Sequence, residues 1–208
     1  MENIDWQIVS QDLVVMVNQS RLLLNVTTCL SRLQFSRGDA QASAELNHLI
    51  FTLPNNLNRV QTVEIIKNDI QVLNNVLASG VVNNFATIQH LYKNFSSHVS
   101  FLEGLNGLIQ SFVAFGQNET EINLNAFSRR WNTFLLKDDE SLNVRRYGIA
   151  GEYYLAMIDS FAAMMETTSF ALRERSDQFA DEYGRLSTLK GKRNDNNVFE
   201  PDKKRRLD

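Results

Sequence analysis

The stretch Arg146-Tyr-Gly-Ile-Ala-Gly-Glu-Tyr-Tyr-Leu-Ala-Met-Ile-Asp-Ser-Phe-Ala-Ala-Met-Met-Glu-Thr-Thr-Ser-Phe-Ala-Leu172 decides the fold class. Its charges, Glu152, Asp159 and Glu166, with Arg173 just beyond, recur every seven residues and draw one narrow polar stripe on a helix. Almost everything else in it is apolar. A helix greasy around most of its circumference is buried on several sides. A bundle of about four helices leaves its members half exposed. The surplus apolar surface therefore points to burial against another subunit.

Working outward, residues 8–33 form a second clear helix. Leu13, Met16, Val17, Leu23, Leu24, Leu30 and Leu33 recur at helical spacing, and Ser10 is placed to cap its start. Ser36-Arg37-Gly38-Asp39 reads as a tight turn. A further helix over about 39–52 carries Ala42, Leu46, Leu49 and Ile50, and Pro54 disfavours helix in the residue before it. Residues 60–78 and 82–95 mix helical and extended signals, and Asn74, Asn75, Asn83 and Asn84 weaken both. Residues 100–115 read as helix, with Leu102, Leu105, Leu108, Ile109 and Phe112 on one side. Residues 116–146 are polar, apart from an island at Phe127, Trp131, Phe134, Leu135 and Leu136. The domain expected is all-α over 1–186. Residues 187–208 lack periodicity and hold seven Lys/Arg against four Asp/Glu, the pattern of a basic disordered tail.

Composition agrees with long helices. The 208 residues include two prolines and nine glycines, few enough to argue against a turn-rich β-sandwich or barrel. The lone Cys29 forms no internal disulfide, and neither CxxC nor a Cys/His zinc spacing exists, so no metal or cofactor is expected. The acidic, polar N-terminus does not read as a signal peptide. No run of about 18 apolar residues predicts a membrane span. The expected compartment is reducing and cytosolic in type. GxGxxG, GxxxxGK[ST], GxSxG and HExxH are all missing, so an enzyme is not expected. His90 and His98 read as surface or satisfied residues.

The run LLNVTTCLSRLQFSRGDAQ, with Asn25, then Gln34-Phe35, then Ala40, resembles the first helix and turn of coat proteins from rod-shaped plant RNA viruses of the tobacco mosaic virus type (Virgaviridae). CLSRLQFSRGDAQASAELNHLIFTLPNNLNRV is similar to the hordeivirus and tobravirus versions. FLEGLNGLIQSF (101–112) resembles the helix before the family's inner loop. Arg145-Arg146 resembles the arginine pair that opens its last long helix. Arg175-Ser176-Asp177-Gln178-Phe179 after Phe170 resembles the family's R-x-x-F-E, with one extra residue and Ala180 in place of the Glu. The likeness covers about 20–180, with 55–100 unaligned, and is nearest the pecluvirus, hordeivirus and tobravirus types.

The resemblance implies an antiparallel four-helix bundle of the tobacco mosaic virus coat protein type. Many copies would build a rigid helical capsid around single-stranded genomic RNA, in the virion and the host cytoplasm, with no membrane. It places Ser36 and Arg37 at the turn facing a phosphate, Arg145 and Arg146 at the helix opening, and Arg129 and Arg130 in the inner loop. Arginine's planar fork suits phosphate, and a helix N-terminus adds amide donors. Bases would pack on the face near Gly148, Ile149, Gly151, Glu152 and Tyr153, with Glu152 taking a ribose hydroxyl. The family's repelling intersubunit carboxylates imply a switch among Glu119, Glu121, Asp138, Asp139 and Glu140. Bland readings stand beside these: loop salt bridges from Arg129 and Arg130 to Glu119 or Asp138, and solvated charge elsewhere. A non-viral helical adaptor, with Lys203-Lys204-Arg205-Arg206 as a nuclear-import patch, stays open as the alternative function.

The net charge of −3 argues against nucleic acid for a monomer. Split by segment, residues 1–144 hold nine Lys/Arg against thirteen Asp/Glu. A polymer would repeat a small basic patch into a continuous track, which reconciles an acidic subunit with RNA.

Overall fold

In a computed structural model, residues 4–53, 57, 60, 63–79, 84–136 and 147–167 are described. They form six helices: α1 (Trp6–Phe35), α2 (Ala40–Thr52), α3 (Glu64–Ser79), α4 (Phe85–Gln117), α5 (Glu121–Leu136) and α6 (Ile149–Thr167). No strand occurs among the described residues, so the protein is all-α as expected. The chain divides into two compact units, 1–159 and 160–208. The described part of the second is the end of α6. The expected tail, 187–208, lies outside the described residues.

Helix α1 starts earlier than Ser10. The Asp5 carboxylate accepts the backbone N–H groups of Gln7 (3.0 Å) and Ile8 (3.3 Å), which satisfies two otherwise orphaned donors. Ser10 lies inside the helix and donates to Asn106 Oδ1 on α4 at 2.9 Å. This pairing fixes the central motif. Trp6 meets Phe112, Ser10 meets Asn106, Ser31 meets Gln89 and Phe35 meets Phe85, so α1 and α4 run antiparallel over nearly their full lengths. Leu13, Leu23 and Leu30 from α1 and Leu91, Leu102 and Leu105 from α4 are fully buried. Each such side chain contributes about 1.5–3 kcal/mol.

By length and composition α1 is the described helix able to cross a membrane, which the sequence pattern did not predict. Within the fold, 56% of its most apolar stretch is buried, along with the polar Gln19, Ser20 and Thr27.

The ambiguous region resolves into α3 and the first half of α4. Ile66, Ile70, Leu73 and Val76 fall on one face of α3 and are buried, while Asn74 and Asn75 face out. A buried pair joins α3 to α4: His98 Nε2 lies 2.8 Å from Asp69 Oδ2. Asn94 Nδ2 donates to the other Asp69 oxygen at 3.2 Å. The His98 ring is edge-on to Phe95 and Tyr147. His98 is thus a core residue bound to a carboxylate.

Helix α5 returns antiparallel to α4. Leu124, Phe127, Trp131 and Phe134 are buried at helical spacing. Phe127 packs on Phe112, and Phe134 packs on Phe101. Tyr147 then stacks face to face on Phe101 at 3.7 Å. Gly148 adopts φ +51°, a left-handed conformation that glycine takes without steric penalty, and the chain turns there into α6. Tyr154 of α6 packs on Phe134. Glu152 and Asp159 are exposed, as the stripe of charge predicts.

Candidate nucleic-acid interface

The first candidate region is the corner between α1 and α2. Asp39 builds it. Its Oδ1 accepts the Ala42 N–H at 2.8 Å, and its Oδ2 accepts from Arg32 at 2.9 Å. These donors, the Ala42 amide first and Arg32 after it, hold the Asp39 carboxyl below its ordinary pKa. Arg32 also lies 3.6 Å from Glu45. The neighbouring Cys29 thiol is buried, and burial, followed by the Glu45 charge, pushes its pKa up. The inner side of the corner therefore pairs its one guanidinium internally, against two carboxylates. Ser36 and Arg37 project from the outer side, both exposed. Arg37 has no carboxylate within 4 Å among the described residues. Just before them, Phe35 is 76% exposed and meets the half-exposed Phe85 edge to face at 5.6 Å.

The second region is a groove of about 340 Å³ between α4 and α5, lined by Ser100, Glu103, Gly104, Arg129, Arg130, Thr133 and Phe134. It corrects one expectation. Arg129 and Arg130 lie in regular helix rather than an inner loop, because Phe127, Trp131 and Phe134 bind that segment to α4. Anchoring one face of α5 leaves both arginines on its exposed flank.

Two glycines of α4 shape the groove. A β-carbon on Gly107 would lie 2.6 Å from Arg130 Nη1, so the guanidinium rests where only a glycine leaves room. One on Gly104 would lie 3.0 Å from the Phe134 ring. Glu103 is already engaged: Arg21 of α1 donates to Glu103 Oε1 through Nε (2.9 Å) and through Nη2. Neither Arg129 nor Arg130 has a carboxylate within 4 Å among the described residues, so the predicted pairing with Glu119 does not form. Among the described residues three cations thus stand against one carboxylate, a positive surplus.

The other candidates are scattered. Glu119 and Glu121 sit at the start of α5, both exposed, where the helix dipole favours negative charge. They lie about 12–15 Å along α5 from the arginines. Glu152 is exposed in the first turn of α6, but Gly151 beside it is buried, which withdraws part of the face expected to meet bases. Asp138, Asp139, Glu140, Arg145 and Arg146 lie outside the described residues. Among those described, no group of three His, Cys, Asp or Glu is placed to hold a metal ion.

The structure also separates what the sequence had grouped. Phe35 meets α4 at Phe85, while the groove meets it at Glu103 and Gly104. The corner and the groove are therefore about 27 Å apart along α4.

Sequence reasoning missed Gly104 and Gly107 as determinants of the groove. Their i, i+3 spacing within FLEGLNGLIQ was the available signal. No family model matches the chain, no curated protein matches it, and no solved structure matches it.

Proposed function

We propose that this chain is a structural coat protein that polymerises into a rigid helical rod and sheathes single-stranded RNA without regard to sequence. On this reading the helices form an antiparallel bundle of the tobacco mosaic virus coat type, with α1 and α4 as its two longest members. The observation that carries it is the α4–α5 groove. Two exposed guanidinium groups without carboxylate partners among the described residues sit side by side on a helix, one of them settled in a glycine gap. Arginine left unpaired on an acidic protein, and held in a fixed fork, suits a phosphodiester ligand. Because the corner and the groove are far apart, the proposed contacts form two basic tracks rather than one. Polymerisation would extend each along the rod.

The test uses the full chain and a single-stranded RNA oligomer. The expected result is rods in negative stain, nuclease-resistant RNA and an affinity that falls linearly on a log–log plot against salt. Replacing Arg129 and Arg130 by alanine should flatten that slope by about 1.4, at roughly 0.7 per lost phosphate contact. A monomer that stays free of nucleic acid at low and high salt refutes the coat and supports a helical adaptor instead.

A further inference from the structure

The coat reading assigns phosphates to arginines but leaves bases only part of their expected surface, since Gly151 of α6 is buried. The corner supplies another. Phe35 and Phe85 come from different helices, touch edge to face at 5.6 Å, and are 76% and 50% exposed. Exposed phenylalanine at this level is costly in water. The pair is also narrow. Ser36, Arg37 and Gly38 follow Phe35 and are exposed, and Gln34, Gln89 and His90 are polar neighbours in sequence.

The two rings leave on the order of 250 Å² in contact with water. A stable protein partner needs about 800 Å² from each side. A nucleobase needs only one aromatic face and an adjacent cation for its phosphate. Arg37, two residues from Phe35 and without an ion pair among the described residues, provides the cation.

We propose that Phe35 and Phe85, with Arg37, form a stacking platform for an unpaired RNA base at the α1–α2 corner. This rests on the RNA-coating reading and adds a base site to it. Stacking explains why an aromatic pair is retained in water, and it is indifferent to base identity, as coating a whole genome requires. Gly38 keeps the turn itself uncrowded: a β-carbon there would meet nothing within 4 Å.

The experiment titrates full-length protein into single-stranded RNA carrying 2-aminopurine, whose fluorescence is quenched when it stacks on an aromatic ring. Wild type should quench it. The double variant Phe35→Leu/Phe85→Leu, which keeps the apolar bulk, should lose quenching at saturation and bind on the order of 10-fold or more weakly. Phe35→Tyr/Phe85→Tyr should restore both. Arg129→Ala/Arg130→Ala should weaken binding yet quench normally once saturated. Circular dichroism of each variant reports that the helices persist.

Undiminished quenching in the leucine variant overturns the platform while leaving the coat reading intact. So does binding by wild type without quenching. If the leucine variant instead breaks up RNA-free oligomers in sedimentation, the pair is a contact between copies and the platform is wrong. If wild type binds no RNA, the coat reading falls and takes the platform with it.

Discussion

Substituting Gly107 by alanine should strengthen the fold and weaken RNA binding at once. Gly107 lies inside α4, where glycine costs about 0.8–1.0 kcal/mol relative to alanine. The added methyl would meet the Arg130 guanidinium at 2.6 Å and nothing else closer than 3.8 Å. That obstacle is the free end of a long, exposed side chain, which swings aside for a fraction of the propensity gain. The expected net is about 0.5–1 kcal/mol of stabilisation, or a rise in Tm of roughly 1–4 °C for a chain of this size. Arg130 then loses its seat in the groove, so the salt slope should flatten by about 0.7 as one phosphate contact weakens.

Gly104→Ala is the control. Its methyl would meet the Phe134 ring at 3.0 and 3.4 Å, and that ring is held between Phe101 and Tyr154. Overpacking of this kind costs about 1–3 kcal/mol, which cancels or exceeds the propensity gain. Gly104→Ala should therefore be less stable than Gly107→Ala in urea. A lower Tm for Gly107→Ala, or unchanged RNA affinity with an unchanged slope, refutes the account of the groove.

Replacing His98 by alanine removes a buried ring and leaves Asp69 with Asn94 alone, and should cost about 2–4 kcal/mol in urea unfolding. Asp39 has a lowered pKa in the folded protein, so its contribution is fully present above the unfolded value near 3.8 and is lost as pH falls through the folded value. Hydrogen exchange at the start of α2 should accelerate below about pH 4. In Asp39→Asn, where a cap persists without a titrating carboxyl, that acceleration should be absent. Cys29 is buried with its thiol pKa raised, so a disulfide reagent at pH 8 should modify the native protein far more slowly than the unfolded chain. Equal rates would show that α1 opens readily at that point.

Much of the fold was legible because its decisive signals are local. The spacing of Leu13, Met16, Val17, Leu23 and Leu30 outlines α1, and Asp39 together with Ala42 and Leu46 outlines α2. The charged stripe of α6 appears where expected at Glu152 and Asp159. Helix α3 and the start of α4 were obscured because their exposed faces carry asparagine and serine, which favour turns when read alone. Burial of Ile66, Ile70, Leu73 and Val76 overrides that preference, and no local window contains the surface they pack on. Helix α5 misread as a polar loop for the same reason: Leu124, Phe127, Trp131 and Phe134 are buried, but most of the rest is polar. The individual arginines of the site were visible. Their grouping was not, because it depends on where α1 and α5 cross α4. The Gly107–Arg130 contact and the His98–Asp69 pair join residues 23 and 29 positions apart, and helix periodicity does not link them.

The antiparallel pairing of α1 with α4 also has a temporal consequence. Trp6 finds Phe112, and Ser10 finds Asn106, only after roughly a hundred further residues have been synthesised. At about 5–20 residues per second, the described helix long and apolar enough to cross a membrane emerges from the ribosome some 5–20 s ahead of the helix that covers it. During that interval its leucine face has only α2, the neighbour made immediately after it, for shelter. The tight Asp39-capped corner, which folds α2 back early, therefore protects the nascent chain from aggregation or capture before the rest of the core exists.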